Sequence, residues 1–193
     1  MVLGEGRVHL AHQPADELAL APSRLVLVTF TRRAAAQLTE SVRDSMGEVL
    51  KKDDRTPVTV ADFGSQALIC RALLEAFPND PVIGEEDSSA LRNPDNAEVR
   101  DQVVQQVRAH QDNATPEGIY SWIDHGTARD YSDRFWTLDP IDGTKGFVRG
   151  DQYAIALALI IDGTPQVAAL CCPYLPSSMD ADDPETRGQA FLA

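Results

Sequence analysis

Two apolar runs joined by a short polar turn constrain the fold of this chain more than any other feature. The runs cover residues 153–161 and 166–172, and the dipeptide Asp162-Gly163 lies between them. Two runs of strand length around an Asp-Gly turn predict an antiparallel β-hairpin. Shorter strand candidates precede this hairpin at residues 25–30, 81–84 and 135–138. The chain therefore has enough strand candidates to build a sheet.

Helical periodicity separates the strand candidates. Residues 59–77 predict the clearest helix, because Phe63, Ala67 and Cys70 recur on one face. Residues 97–110 predict a second, amphipathic helix, and residues 32–50 predict a third. Loops are expected in three polar or proline-rich stretches: residues 51–57, residues 111–133 and the chain from Pro173 onward. The second stretch has room for one helical turn. Helices that alternate with strands predict an α/β fold in which helices and sheet form layers.

The composition is typical of a single acidic domain. A chain of 193 residues can bury a substantial core. Its formal net charge of −13 argues against nucleic acid or an anionic membrane as a partner. We expect neither a membrane span nor a signal peptide, because no apolar run is long enough and the first residues lack the required pattern. The three cysteines lack metal-site spacing, so we expect reduced thiols and a cytoplasmic location. The sequence does not indicate an oligomeric state.

The segment Asp139-Pro140-Ile141-Asp142-Gly143-Thr144 carries the clearest chemical signal. Pro140 restrains the backbone between two carboxylates, and the Ile141 carbonyl lies between them as a third oxygen. Oxygen ligands of this kind suit Mg²⁺, and Gly143 allows an anion to approach the backbone closely. The structural alternative is an ordinary Asp-Gly turn that follows an apolar strand. For this segment taken alone, that alternative has at least even odds.

Two upstream segments make the pattern more specific. The sequences VTVAD (58–62) and PVIGEE (81–86) precede DPIDGT in that order. With them, the chain resembles the lithium-sensitive, Mg²⁺-dependent phosphatases of the inositol monophosphatase superfamily over roughly residues 50–175. The residues after Thr144, Lys145-Gly146-Phe147, and the segment 51–69 look most like the 3'(2'),5'-bisphosphate nucleotidase branch.

The resemblance implies a role for each candidate site residue. It makes Asp62 and Thr144 the pair that orients and activates a water molecule, and it places the backbone of Gly143 and Thr144 against the substrate phosphate. Glu86 and Lys145 are expected in supporting positions around the site. The implied metal ligands are Glu85, Asp139, the Ile141 carbonyl and Asp142.

Structural roles for the same residues remain open alternatives at this point. Asp62 follows Thr59 by three residues, so it could belong to a variant of the helix capping box. Glu85 and Glu86 could be solvated charges at the end of a strand. Lys145 lies on a surface loop, where a phosphate contact is no better than an even chance.

The resemblance also implies a reaction and a cofactor. Two or three Mg²⁺ ions are expected, with direct in-line attack by water on the 3'-phosphate of 3'-phosphoadenosine 5'-phosphate to give AMP and phosphate. The expected partner is therefore a small nucleotide. Inositol or sugar phosphates are alternative substrates, and a non-catalytic fragment that binds metal or nucleotide is a third possibility.

The resemblance extends only to the N-terminal half of such enzymes. It implies a sugar-phosphatase-like domain at residues 46–175, with an antiparallel sheet flanked by helices. Residues 1–45 are an atypical N-terminal segment, and residues 176–193 are expected to be an acidic, loop-like tail. The later Trp-Asp motif and the C-terminal α/β domain are expected to be missing, so we expect the chain alone to be a poor catalyst.

Overall fold

A six-stranded sheet forms the centre of the molecule. The computed structural model describes residues 8–10, 49–51, 57–130, 132–176 and 187–193. The strand order in the sheet is β1-β8-β7-β6-β5-β4. Its strands are β1 (Val8–Leu10), β4 (Val82–Ile83), β5 (Arg134–Asp142), β6 (Ala154–Ile161), β7 (Thr164–Pro176) and β8 (Arg187–Leu192). Helices accompany this sheet, and the predicted α/β fold is confirmed.

The sheet is mixed, not purely antiparallel as the resemblance implied. Strands β5, β6, β7 and β8 pair antiparallel in sequence. The short outer strands differ, since β4 pairs parallel with β5 and β1 pairs parallel with β8. Parallel neighbours need a crossover connection. All the helical segments between residues 89 and 125 lie in the connection from β4 to β5.

The predicted hairpin is confirmed as β6 and β7. Asp162 and Gly163 both have positive φ angles, 50° and 73°, as the favoured two-residue hairpin turn requires. Strand β7 continues to Pro176, so the loop expected from Pro173 onward is wrong at its start. It is also wrong near the end of the chain, because residues 187–192 form β8 and not a loop-like tail.

The longest helix, α1 (Val60–Ala76), confirms the prediction for residues 59–77 to within a residue at each end. A two-stranded sheet of β2 (Val49–Lys51) and β3 (Pro57–Thr59) precedes it. The helix predicted for residues 32–50 is therefore wrong at residues 49 and 50, which belong to β2. The loop predicted for residues 51–57 is wrong at its two ends, because Lys51 belongs to β2 and Pro57 to β3. The rest of these two predictions, and the strand predicted at residues 25–30, lie outside the described residues.

Helix α1 is buried on every side over residues 60–70. Such a helix is expected to be apolar throughout, yet Asp62, Ser65 and Gln66 lie in this stretch and are 2% exposed or less. Buried polar side chains require partners. This helix therefore carries polar groups that its position in the core does not explain.

Four short helical segments connect β4 to β5. They are α2 (Ser89–Arg92), a 3-10 turn (Pro94–Asn96), α3 (Ala97–Arg108) and α4 (Pro116–His125). Helix α3 was predicted, but α4 contradicts the loop expected at residues 111–133. The Thr115 side chain caps α4 by accepting the Gly118 N–H at 3.1 Å, and Ile119 and Ile123 are fully buried. None of the described helices combines the length and apolar character that a membrane crossing needs.

Candidate functional site

The strand predicted at residues 135–138 extends further than expected, and both aspartates of the DPIDGT segment lie within it at the end of β5. Asp139 pairs with Ala156 and Asp142 with Ala154, so three steps along β5 match two steps along β6. This bulge accommodates Pro140, which has no N–H to give to the sheet. The Ser65 hydroxyl of α1 donates to the Pro140 carbonyl at 3.1 Å and fixes the bulge against the helix.

The chain turns sharply after these aspartates. Gly143 has a φ of 93°, a conformation that favours glycine, and helix α5 (Thr144–Arg149) begins at the next residue. The Thr144 hydroxyl donates to the Ile141 carbonyl at 3.2 Å. The implied pairing of Thr144 with Asp62 therefore stays a prediction, as does the role of the Ile141 carbonyl as a ligand. Gly143 and Lys145 are exposed to solvent.

Three carboxylates converge beside the first turn of α1. Oxygen atoms of Asp62, Glu85 and Glu86 lie within 4.8 Å of one another. Asp62 and Glu86 are 2% and 5% exposed, whereas Glu85 is open to solvent. Carboxylates at this spacing repel one another unless a cation or protons compensate the charge. The first helix and the end of β4 therefore meet in an acidic corner.

The DPIDGT aspartates adjoin the same corner. Burial, the charge of Glu85 and the charge of Asp142 together raise the pKa of Asp139 from 3.8 to about 6, while the Ile141 backbone N–H acts in the opposite direction. The Oδ1 atom of Asp139 is buried and has no hydrogen-bond partner in the described part of the chain. A buried oxygen without a donor, next to further carboxylates, fits a divalent cation with oxygen ligands.

Sequence reasoning missed the residues that hold this corner together. The Gln66 amide accepts the N–H groups of Glu85 and Glu86 at 3.1 and 2.9 Å. It also donates to the carbonyls of Glu86 and Ile123, the latter at 2.9 Å. Its neighbour Ser65 holds the DPIDGT bulge. Ser65 and Gln66, which are adjacent in α1, thus bind the DPIDGT bulge and the backbone of the two glutamates. Only their polarity inside a buried helix could have indicated this.

A second helix supports the segment that follows the glutamates. The Asp124 carboxylate of α4 accepts the Ser88 N–H and the Ser88 hydroxyl, both at 2.8 Å. Arg92 forms an ion pair with Asp124 at 3.2 Å and lies over the Tyr120 ring, 4.6 Å from its centroid. The loop that carries Glu85 and Glu86 is therefore attached to helices on both sides.

Fold and site define an α/β protein with a carboxylate-rich corner, suited to binding divalent cations, beside its central sheet. The chain belongs to the inositol monophosphatase family, because the sequence model of that family matches residues 20–189. The family resemblance carried by the three acidic motifs is thus confirmed.

Two curated relatives that match this chain are named as 3'(2'),5'-bisphosphate nucleotidases. The 3'(2'),5'-bisphosphate nucleotidase of Schizosaccharomyces pombe is 46% identical over 177 residues, which cover 83% of this chain and 49% of that protein. The 3'(2'),5'-bisphosphate nucleotidase 2 of Candida albicans is 38% identical over 192 residues, 91% of this chain and 51% of that protein. The chain spans about half the length of the curated relatives it matches.

Solved structures agree with the fold. The extragenic suppressor protein suhB from Bartonella henselae matches with a TM-score of 0.51 at 17% identity, over 78% of this chain and 45% of that protein. A staphylococcal inositol monophosphatase-1, solved as an inhibitory complex after soaking in LiCl, matches with a TM-score of 0.50 at 18% identity. That match covers 77% of this chain and 46% of the other.

Proposed function

We propose that this chain carries the metal-binding part of a Mg²⁺-dependent phosphatase that releases the 3'-phosphate of 3'-phosphoadenosine 5'-phosphate. The observation that carries the proposal is the acidic corner, in which a buried Asp139 oxygen lies near Glu85 and Asp142 and receives no hydrogen bond from the described residues. The nucleotide substrate rests on the relatives in Schizosaccharomyces pombe and Candida albicans, which are named as 3'(2'),5'-bisphosphate nucleotidases.

The ligands we propose for Mg²⁺ are the carboxylates of Glu85, Asp139 and Asp142, with the Ile141 carbonyl between the aspartates. When bound there, Mg²⁺ would supply positive charge that stabilises the phosphate during ester hydrolysis, which the carboxylates of this corner cannot supply. Positive charge at the site matters all the more because the formal net charge of −13 would otherwise repel an anionic substrate. Glu86 is almost fully buried and supports the corner from behind Glu85.

The remaining roles fall to groups around the corner. Asp62 accepts the proton of the attacking water, and one of its carboxylate oxygens lies within 4.8 Å of oxygens of Glu85 and Glu86. The Thr144 hydroxyl orients that water. The N–H groups of Gly143 and Thr144 hold phosphate oxygens, and the exposed Lys145 offers positive charge to the same phosphate.

The three free cysteines are consistent with a reducing, cytoplasmic location.

A phosphate-release assay tests the proposal. We would compare 3'-phosphoadenosine 5'-phosphate with inositol 1-phosphate, each with Mg²⁺ and with EDTA. The chain would be assayed alone and also joined to the remaining C-terminal half of the Schizosaccharomyces pombe relative. We expect Mg²⁺-dependent release from the nucleotide, chiefly by the joined protein. Preference for inositol 1-phosphate would refute the nucleotide assignment, and no release from either substrate by the joined protein would refute the phosphatase.

A further inference from the structure

The Gln66 side chain uses its whole hydrogen-bonding capacity, three bonds to the glutamate backbone of the acidic corner and one to helix α4. It is fully buried, and a carboxamide can accept two hydrogen bonds and donate two. Both accepted bonds come from the backbone of Glu85 and Glu86, and the two donated bonds go to the carbonyls of Glu86 and Ile123. One amide therefore connects α1, the loop after β4 and helix α4.

Gly84 and Gly126 leave the space that this amide occupies. A Cβ atom at Gly84 would lie 2.7 Å from the Gln66 Oε1 atom, and one at Gly126 would lie 2.7 Å from its Nε2 atom. A free, flexible side chain could move away from such a contact. Gln66 cannot do so without breaking hydrogen bonds inside the core, which would leave buried polar atoms without partners.

We propose that Gln66 is a positioning residue that holds Glu85 near Asp62 and thereby determines the affinity of the corner for a divalent cation. The inference rests on the proposed metal site. Asp62 and Gln66 are four residues apart in α1 and lie on the same face of the helix. The bonds from Gln66 to the glutamate backbone therefore fix Glu85 relative to the helix that carries Asp62. Without them, repulsion among the three carboxylates would move the Glu85 carboxylate away from Asp62.

Replacement of Gln66 by methionine tests this role, and the chain offers a matched control. Gln106 of α3 is also buried, at 3% exposure, but neither of its amide atoms has a hydrogen-bond partner within the described residues. Mg²⁺ affinity of the 193-residue chain would be measured by calorimetry, and unfolding in EDTA would show whether each variant folds. We expect Gln66→Met to weaken Mg²⁺ binding about 10–100-fold, the usual effect of losing a group that orients a ligand. Gln106→Met should bind like the parent.

A gentler variant decides the question if Gln66→Met fails to fold. Gly84→Ala pushes on the Gln66 amide without removing it, and Gly118→Ala in α4 is the matched control, because Gly118 lies against Thr115 and Trp122. We expect Gly84→Ala to bind Mg²⁺ more weakly than Gly118→Ala. Parental affinity in folded Gln66→Met, or equal affinity in the two alanine variants, would overturn the role of Gln66. A parental chain that binds no Mg²⁺ would overturn the proposed metal site as well, whereas absent phosphate release alone would leave the positioning role standing.

Discussion

Replacement of Asp139 by asparagine should stabilise the metal-free chain and remove most of its response to Mg²⁺. The pKa of Asp139 rises from 3.8 to about 6, chiefly by burial and then by the charges of Glu85 and Asp142. One pKa unit corresponds to about 1.4 kcal/mol, so the full shift corresponds to about 3 kcal/mol at pH 7.5. The carboxyl group of Asp139 is only half-buried, and solvent screening reduces this to about 1 kcal/mol. We therefore expect the free energy of unfolding in EDTA to be about 1 kcal/mol higher for Asp139→Asn than for the parent.

The same variant should respond differently to the cation. Mg²⁺ at a hundredfold excess over its Kd would stabilise the parental chain by about 2.7 kcal/mol, and Asp139→Asn should gain far less because it lacks an anionic ligand. Urea unfolding at pH 7.5, with EDTA and with Mg²⁺, measures both effects. Asp101→Asn on the exposed side of α3 is the control and should change stability by less than about 0.5 kcal/mol. An Asp139→Asn variant that is less stable in EDTA and gains as much from Mg²⁺ as the parent would refute the reasoning.

Three further predictions follow from the same groups. The pKa of Asp139 in the folded chain exceeds its unfolded value of 3.8, so its ionised form destabilises the fold. In EDTA, the difference in unfolding free energy between Asp139→Asn and the parent should therefore be largest above about pH 6 and should vanish toward pH 3.8. A difference that stays constant across this pH range would contradict the shift. Asp62→Asn should lower phosphate release by the joined protein about 10²–10⁴-fold, whereas unchanged turnover would return Asp62 to a capping role. Thr115→Ala should cost about 1 kcal/mol of unfolding free energy through loss of the α4 cap, and an unchanged urea midpoint would contradict that contribution.

Local sequence signals predicted the elements whose residues determine their own conformation. The hairpin at Asp162-Gly163 and helix α1 came from turn chemistry and helical period. Helix α4 was missed because its polar residues suggested a loop, although Thr115-Pro116 is a helix-start signal. Strand β8 was missed because it lies in an acidic, proline-containing stretch and is paired by β7 and β1. Pairing between distant segments, not local propensity, makes these residues a strand.

The sequence predicted which residues form the candidate site but not how they are arranged in space. The motifs indicated Asp62, Glu85 and Asp139 as acidic groups of one site, and the structure brings oxygen atoms of Asp62 and Glu85 within 4.8 Å. The sequence could not indicate that Gln66 holds the glutamates, because its partners lie 19 to 57 residues away along the chain. The predicted strand at residues 135–138 also ended before both aspartates, since the bulge that keeps them in β5 depends on pairing with β6.

The most direct test of the account is the location of a bound divalent cation. A crystal of the chain soaked with Mn²⁺, a substitute for Mg²⁺ that scatters anomalously, would show where the ion lies. We expect an anomalous peak within bonding distance of carboxylate oxygens of Glu85, Asp139 and Asp142, with the Asp139 Oδ1 atom among the ligands. A crystal that shows no peak at this corner, or a peak only among other acidic residues, would contradict the central claim.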